Sequence, residues 1–128
     1  MARIAVVDDS KLARAFAAAA LSKTGHRVIL IEPKSLQLTL GELVKWAPDL
    51  ILLDCSMPAF QGPSLVRACF ELPGLSLVKV IILTAFQDKA IAQRMTKLGV
   101  DRVLYKPISP RDLSEAVEEA VARPPRCE

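Results

Sequence analysis

The sequence predicts an α/β protein in which five parallel strands alternate with five helices in one doubly wound sheet. Short apolar runs, typical of buried strands, alternate with segments whose apolar residues recur at helical spacing. The run Leu50–Leu53 is apolar at every position, which favours a central strand covered on both faces. Because helices join successive parallel strands through right-handed crossovers, this alternation places helices on both sides of the sheet.

The sequence pattern predicts the first strand–helix unit clearly, whereas the second helix is ambiguous. Arg3–Val7 predicts the first strand and Ser10–Lys23 the first helix, which ends before a glycine. The second strand is predicted over Arg27–Glu32. In Ser35–Trp46 leucines first alternate as in a strand and then follow helical spacing, and we interpret the segment as the second helix. The apolar face of the first helix is expected to carry Leu12, Phe16 and Ala20.

In the third and fourth units, residues typical of helix ends indicate where each helix begins and ends. After the third strand, a helix is predicted over Pro63–Leu72, with proline at its first position and Pro73-Gly74 at its end. Lys79–Leu83 predicts the fourth strand, and Asp88 is expected to cap the fourth helix, which Gly99 ends. The apolar stripe of that helix consists of Ile91, Met95 and Leu98.

The fifth unit completes the predicted domain. Arg102–Tyr105 predicts the last strand and Ser109–Arg123 the last helix. Ser109 and Asp112 form a capping box with Pro110 at the first helical position. We expect residues 1–123 to form one domain, with residues 124–128 as a short tail and no output domain. The apolar residues of the last helix recur at Leu113, Val117 and Val121.

Composition restricts the class of protein. A chain of 128 residues, 52% of them hydrophobic, can bury one core. Its net charge of +3 is too small and too dispersed to indicate nucleic-acid binding. Cys55, Cys69 and Cys127 form no CxxC pair, which indicates a reduced protein, and Asp8 and Asp9 interrupt the amino-terminal apolar run, so no signal peptide is expected. We therefore expect a cytoplasmic protein that binds neither DNA nor membranes.

Several predicted strands end on residues that can take part in chemistry. Asp8 and Asp9 follow the first strand, Asp54 ends the third, Thr84 follows the fourth and Lys106 follows the fifth. In parallel sheets the carboxyl ends of the strands meet at one edge, where ligands bind. We expect these three carboxylates, the hydroxyl and the ammonium to converge there.

Four motifs occur in order along the chain: VVDDS, LLDCSMP followed by Gly62 eight positions after Asp54, LTA at Thr84, and YKP at Lys106. With these motifs the chain resembles the receiver domain of two-component response regulators, from Arg3 to about Arg123. The resemblance implies a flavodoxin-like fold with strand order 2-1-3-4-5.

The resemblance also implies a magnesium site. Asp54 would be the phosphoacceptor and a ligand, Asp9 would bind the ion directly, and Asp8 would act largely through water. The backbone carbonyl of Ser56 would be a further protein ligand. Magnesium suits such a site because it prefers oxygen ligands, keeps several waters and offsets the repulsion among carboxylates.

By the same resemblance, two side chains would contact the phosphoryl group. Thr84 would donate a hydrogen bond to it only once it is present, and Lys106 would offset its negative charge. The peptide bond between Lys106 and Pro107 is expected to be cis.

The chain departs from the family pattern at its switch and gating positions. The aromatic residue expected three positions before the lysine is Val103 here, whereas Tyr105 directly precedes the lysine. Tyr105 is expected either to replace that aromatic in a switch coupled to Thr84 or to cover the edge of the sheet. Ser56 and Phe86 stand where the family controls access of water, and the bulk of Phe86 is expected to slow hydrolysis.

These observations predict a single-domain response regulator. It would accept a phosphoryl group from a histidine kinase or a histidine phosphotransfer protein, catalyse its own phosphorylation and dephosphorylation, and signal by binding a protein. The downstream protein is expected to dock through acidic residues on the face of the fourth helix, fifth strand and fifth helix. The basic residues of that region are Arg94, Lys97, Arg102 and Arg111.

Two other functions share part of the pattern. A receiver-shaped interaction module would keep the fold without accepting a phosphoryl group. A phosphatase of the haloacid-dehalogenase type also places a nucleophilic aspartate after a strand, but it expects a second aspartate two residues later, where this chain has Ser10 after Asp8, and it expects a cap domain. An assay with a small phosphodonor and magnesium distinguishes these functions.

Overall fold

Five strands and five helices alternate strictly in the computed structural model, which describes residues 1–55, 58–85 and 89–124. The strands are β1 (Arg3–Val7), β2 (Arg27–Ile31), β3 (Leu50–Asp54), β4 (Lys79–Ala85) and β5 (Arg102–Lys106). The helices are α1 (Lys11–Leu21), α2 (Leu36–Trp46), α3 (Gly62–Glu71), α4 (Lys89–Leu98) and α5 (Pro110–Ala122). The element boundaries lie within one or two residues of those predicted, and the Asp88 cap lies outside the described residues.

The strands form one parallel sheet in the order β2-β1-β3-β4-β5, which confirms the predicted topology. β3 lies at the centre, and all of its residues are buried. In its register Leu50 pairs with Ile4 on one side, and Asp54 pairs with Leu83 on the other. The end of the central strand therefore lies between the ends of β1 and β4.

Two apolar layers cover the sheet. Alternate residues of a strand face opposite sides, and both sides of β3 are apolar. Ile51 and Leu53 belong to the core on the side of Leu43, Leu65 and Met95, that is, of α2, α3 and α4. Leu50 and Leu52 belong to the opposite core, which α1 and α5 complete. Burial on both sides explains the unbroken apolar run of this strand.

The ambiguous second segment is a helix. The side chain of Ser35 accepts a hydrogen bond from the Leu38 backbone N–H at 3.1 Å and so caps the start of α2. At the other end, Ala47 takes a left-handed conformation with φ of 54°, which allows its N–H to bond the Leu43 carbonyl. Leu43 is fully buried, so the helical spacing identified the face that packs.

The predicted face of α1 is wrong at two of its three positions, and only Ala20 is buried. Leu12 is 83% exposed and Phe16 37% exposed, whereas the buried residues are Ala17, Ala20 and Leu21. Small side chains let the backbone of α1 approach the sheet and α5 closely. Because alanines occur all around this helix, apolar spacing alone does not determine which side packs.

The part of the chain that the structure describes contains no helix long and apolar enough to cross a membrane.

Candidate functional site

The carboxyl ends of four strands bring the predicted site residues together. Asp54 and Asp8 are each 5% exposed and Thr84 is fully buried, although all three are polar. Asp9 is exposed beside them. Buried polar groups at one sheet edge need partners, since burial of an uncompensated charge is costly. This edge of the sheet is therefore the candidate site for a charged ligand.

The three aspartates form a cluster of oxygen donors. Carboxylate oxygens of Asp8, Asp9 and Asp54 all lie within 4.8 Å of one another. Hard oxygen donors at such spacing suit a small divalent cation, which would remove the repulsion between the carboxylates. The residues present therefore fit a magnesium ion.

Asp8 shows the electrostatic strain of this cluster. Burial raises the pKa of its carboxyl group, and the nearby charge of Asp54 raises it further. A hydrogen bond from the Ser10 backbone N–H to Asp8 Oδ1, at 2.9 Å, and the charge of Lys106 act in the opposite direction. Burial has the largest effect on this pKa, so a bound cation would stabilise the ionised form of Asp8.

Lys106 supplies a positive charge from the end of β5. Its Nζ lies 3.4 Å from Asp54 Oδ1, although the two residues are 52 positions apart in the chain. The Lys106–Pro107 peptide bond is cis, as predicted. The lysine side chain is partly exposed, so it can also reach a group attached to Asp54.

Thr84 and Tyr105 are neighbours in the register of β4 and β5. Tyr105 is 38% exposed and separates two surface grooves. One groove, of about 390 Å³, lies between α4 and β5 and includes Lys89, Lys97 and Val103. The other, of about 280 Å³, lies between β5 and α5. The ring thus stands on the surface next to a buried threonine of the site.

Two predicted site residues, Ser56 and Phe86, lie outside the described residues. The structure adds a residue that the sequence interpretation missed. Arg14 Nη1 donates a hydrogen bond to the backbone carbonyl of Asp8 at 2.7 Å. Its signal in the sequence is a cation near the start of a helix whose first turn has no acidic residue.

The four basic residues predicted to form one surface are separated in the structure. Lys97 lines the groove beside β5, whereas Arg94 lines a different groove, beside Pro58 and Gln61. Arg102 and Arg111 form ion pairs with acidic residues of α5. Lys89, which the sequence interpretation omitted, joins Lys97 in the groove. The two ion pairs are Arg102–Glu119 and Arg111–Glu115.

Comparison with known proteins identifies relatives among response regulators and their receiver domains. The family model described as the response regulator receiver domain matches residues 4–118. The chain is 30% identical over 122 residues to the transcriptional regulatory protein PdtaR of Mycobacterium tuberculosis, a match that covers 94% of this chain and 57% of that protein. It is 28% identical over 116 residues to a probable chemotaxis protein CheY of Rhizobium etli, covering 91% of this chain and 89% of that protein.

The chain spans little more than half the length of PdtaR but most of the length of the CheY relative. Among solved structures, a response regulator receiver domain protein from Clostridium thermocellum superimposes with a TM-score of 0.83 and 27% identity, covering 94% of each chain.

Proposed function

Because the chain belongs to the response regulator receiver family, we propose that it is a signalling protein controlled by phosphorylation of Asp54. The observation that carries this proposal is the buried Asp54 carboxylate at the end of the central strand, with a lysine ammonium 3.4 Å away and two further carboxylates beside it. The phosphoryl donor is a histidine kinase or a histidine phosphotransfer protein.

The reaction transfers a phosphoryl group from a nitrogen to an oxygen. A lone pair of an Asp54 carboxylate oxygen forms the new O–P bond as the P–N bond to the donor imidazole breaks. The electron pair of that bond stays on the imidazole nitrogen. Because the other ring nitrogen of the donor carries a proton, the ring leaves as neutral imidazole. Little covalent chemistry is required of the protein, so positioning and charge compensation dominate.

Asp8, Asp9 and Asp54 would hold a magnesium ion, together with the backbone carbonyl of Ser56. When bound, the ion supplies positive charge that offsets the negative charge of the carboxylates and of the transferred oxygens. The support for this assignment is the close set of carboxylate oxygens and the raised pKa of Asp8, which reflects a charge held away from water.

Lys106 and Thr84 would stabilise the phosphorylated state. Lys106 offsets charge on the phosphoryl oxygens as a point cation, while Thr84 donates a hydrogen bond to one of them. A threonine that turns toward the phosphoryl group vacates space between β4 and β5. Val103 stands where the family has an aromatic residue, and Tyr105 would take over the role of that residue by entering this space. Phe86 would slow hydrolysis by limiting access of water.

The phosphorylated state would be read by a protein rather than by DNA or a membrane. Residues 1–123 act as the receiver unit, and the partner docks on the face of α4, β5 and α5, where the groove with Lys89 and Lys97 favours acidic side chains. We place this exchange in the cytoplasm, where Cys55 and Cys69 would stay reduced, as in the structure.

The test is phosphorylation by acetyl phosphate with and without magnesium, followed by intact-mass measurement. The wild-type protein should gain one phosphoryl group only with magnesium, releasing acetate. Asp54→Asn should gain none while keeping its fold, because it lacks the nucleophile at nearly the same volume. The matched control is Asp112→Asn, at an exposed carboxylate of α5, which should be phosphorylated normally.

An undiminished adduct on the Asp54→Asn protein would remove Asp54 as the acceptor. A wild-type protein that never gains a phosphoryl group would instead indicate a receiver-shaped interaction module.

A further inference from the structure

Arg14 contacts the backbone of the acidic cluster. Its Nη1 donates a hydrogen bond to the Asp8 carbonyl at 2.7 Å. This carbonyl belongs to the planar peptide group that joins Asp8 to Asp9. The bond therefore fixes the plane from which the Asp9 side chain projects.

Asp9 depends on such backbone positioning more than its neighbours do. The Asp8 carboxylate is buried and accepts the Ser10 N–H at 2.9 Å, and Asp54 is buried with Lys106 at 3.4 Å. Asp9 is exposed, and within residues 1–55, 58–85 and 89–124 no hydrogen bond or ion pair involves its carboxylate. No bond to a described residue holds this side chain, so its position relative to the cluster depends on the backbone from which it projects.

The location of Arg14 is unfavourable for α1 itself. The positive end of a helix dipole opposes cations near the helix start, and the first turn of α1 has no acidic residue. Lys11 adds a second cation there. A residue that opposes a local preference is expected where it serves a site.

We infer that Arg14 is a positioning residue, which holds the Asp8–Asp9 peptide so that the Asp9 carboxylate is preorganised for a divalent cation. This inference rests on the proposed function. Arg14 need not touch the cation, and its effect reaches the site through one hydrogen bond.

Magnesium titration of the unphosphorylated full chain by calorimetry tests this role. Arg14→Ala should weaken magnesium binding about tenfold, as for other residues that orient metal ligands. Loss of a nearby positive charge would by itself tighten cation binding, so weakening identifies lost positioning. The matched control is Lys11→Ala, which removes the same charge from the same helical turn and should leave the affinity unchanged or slightly higher. Arg14→Lys, which keeps a donor and the charge, should recover part of the affinity.

A double-mutant cycle identifies the carboxylate involved. In an Asp9→Asn background, Arg14→Ala should cost little further affinity, because the side chain that Arg14 orients has already lost its charge. Without metal, Arg14→Ala should shift the backbone amide signals of Asp9 and Ser10 in NMR spectra while the melting temperature changes little. If Arg14→Ala does not fold, Arg14→Lys should still show weaker binding and the same amide shifts.

Equal effects of Arg14→Ala and Lys11→Ala on affinity would overturn the inference, as would an undiminished loss in the Asp9→Asn background. A wild-type chain that binds no magnesium would instead refute the proposed metal site, and the inference with it.

Discussion

At Asp8, burial disfavours the ionised form of the carboxyl group. Burial raises the pKa of its carboxyl group, with a further contribution from Asp54. A carboxyl group whose pKa is raised by folding makes its largest stabilising contribution when protonated, and that contribution is lost as the pH rises through the folded-state pKa. At neutral pH the ionised Asp8 therefore lowers the free energy of unfolding of the metal-free protein.

Asp8→Asn should stabilise the metal-free protein by about 1 kcal/mol, the usual gain when a strained functional group is removed. The amide removes the buried charge and can still accept the Ser10 N–H bond. As the pH falls through the raised pKa, the wild-type protein should regain this difference, because its own carboxyl group becomes neutral. Urea unfolding without magnesium, from neutral to acidic pH, measures the effect.

The same substitution should weaken magnesium binding, so stability and metal affinity change in opposite directions. Glu42→Gln, at an exposed carboxylate of α2, serves as the control and should alter neither property. A metal-free Asp8→Asn protein that is less stable than the wild type at neutral pH would show that the charge of Asp8 is already compensated.

Tyr105 provides a second prediction for a single residue. Its ring is 38% exposed and lies opposite the fully buried Thr84 in the sheet register. Addition of beryllofluoride, which mimics a phosphoryl group on Asp54, should move the ring to a buried environment. The gain of apolar burial is on the order of 1 kcal/mol, which changes a two-state equilibrium about fivefold.

Ring signals in NMR spectra, recorded before and after the addition, measure this movement. Tyr105→Phe keeps the ring and should respond in the same way. A single ring environment throughout, while signals of α4 shift, would assign Tyr105 to coverage of the sheet edge.

At the scale of elements, Gly62 determines how closely α3 and α4 approach. A methyl group at this position would lie 2.9 Å from Met95 Cε and 3.4 Å from Cys55 Cα. Met95 is fully buried, and Cys55 directly follows Asp54. The absence of a side chain at the start of α3 thus allows Met95 of α4 to lie against α3, close to the residue that follows β3.

Gly62→Ala should destabilise the protein by about 1 to 2 kcal/mol, the cost of overpacking a filled core. Gly41→Ala is the matched control, since a methyl group in that exposed position of α2 meets nothing within 4 Å. It should stabilise the helix by up to about 1 kcal/mol. Chemical denaturation of both variants gives the comparison, and equal stability changes would mean that Met95 moves aside without cost.

At the scale of the whole molecule, the charges of α4 and α5 differ in sign. All charged residues of α4 are basic, whereas α5 is mainly acidic. Arg102 and Arg111 already pair with α5 carboxylates at 2.9 and 3.0 Å. Such exposed pairs add little stability, but they neutralise two of the four cations expected to attract a partner. Lys97 has no ion pair among the residues that the structure describes, and it lines the groove beside β5.

Lys97→Glu should therefore weaken binding of the downstream protein about tenfold at low salt, and less at high salt, because like charges then meet at the docking face. Arg94→Glu makes the same charge change on another side of the same helix and should have little effect. The partner can be obtained by pull-down with beryllofluoride-loaded protein, and its affinity measured by calorimetry. Equal effects of the two reversals would place the partner elsewhere or show a response to net charge alone.

The order and type of the helices and strands could be predicted from local sequence patterns. Apolar runs, prolines at helix starts and capping residues act locally, so they are readable without the fold. The chemically active strand ends were also predictable, because parallel strands bring their carboxyl ends to one edge. Asp54 and Lys106, 52 positions apart, could be expected at one site on this ground alone.

The packed faces of the helices and the partners of distant side chains could not be predicted without the three-dimensional structure. α1 is apolar on most sides, so its packed face depends on the sheet and α5 rather than on its own periodicity. The bond from Arg14 to the Asp8 carbonyl depends on how α1 leaves β1, and the separation of Arg94 from Lys97 depends on how α4 is rotated against its neighbours. These features have a common physical reason: periodicity determines the phase of a helix only where polar and apolar sides differ, and contacts between distant side chains follow from packing.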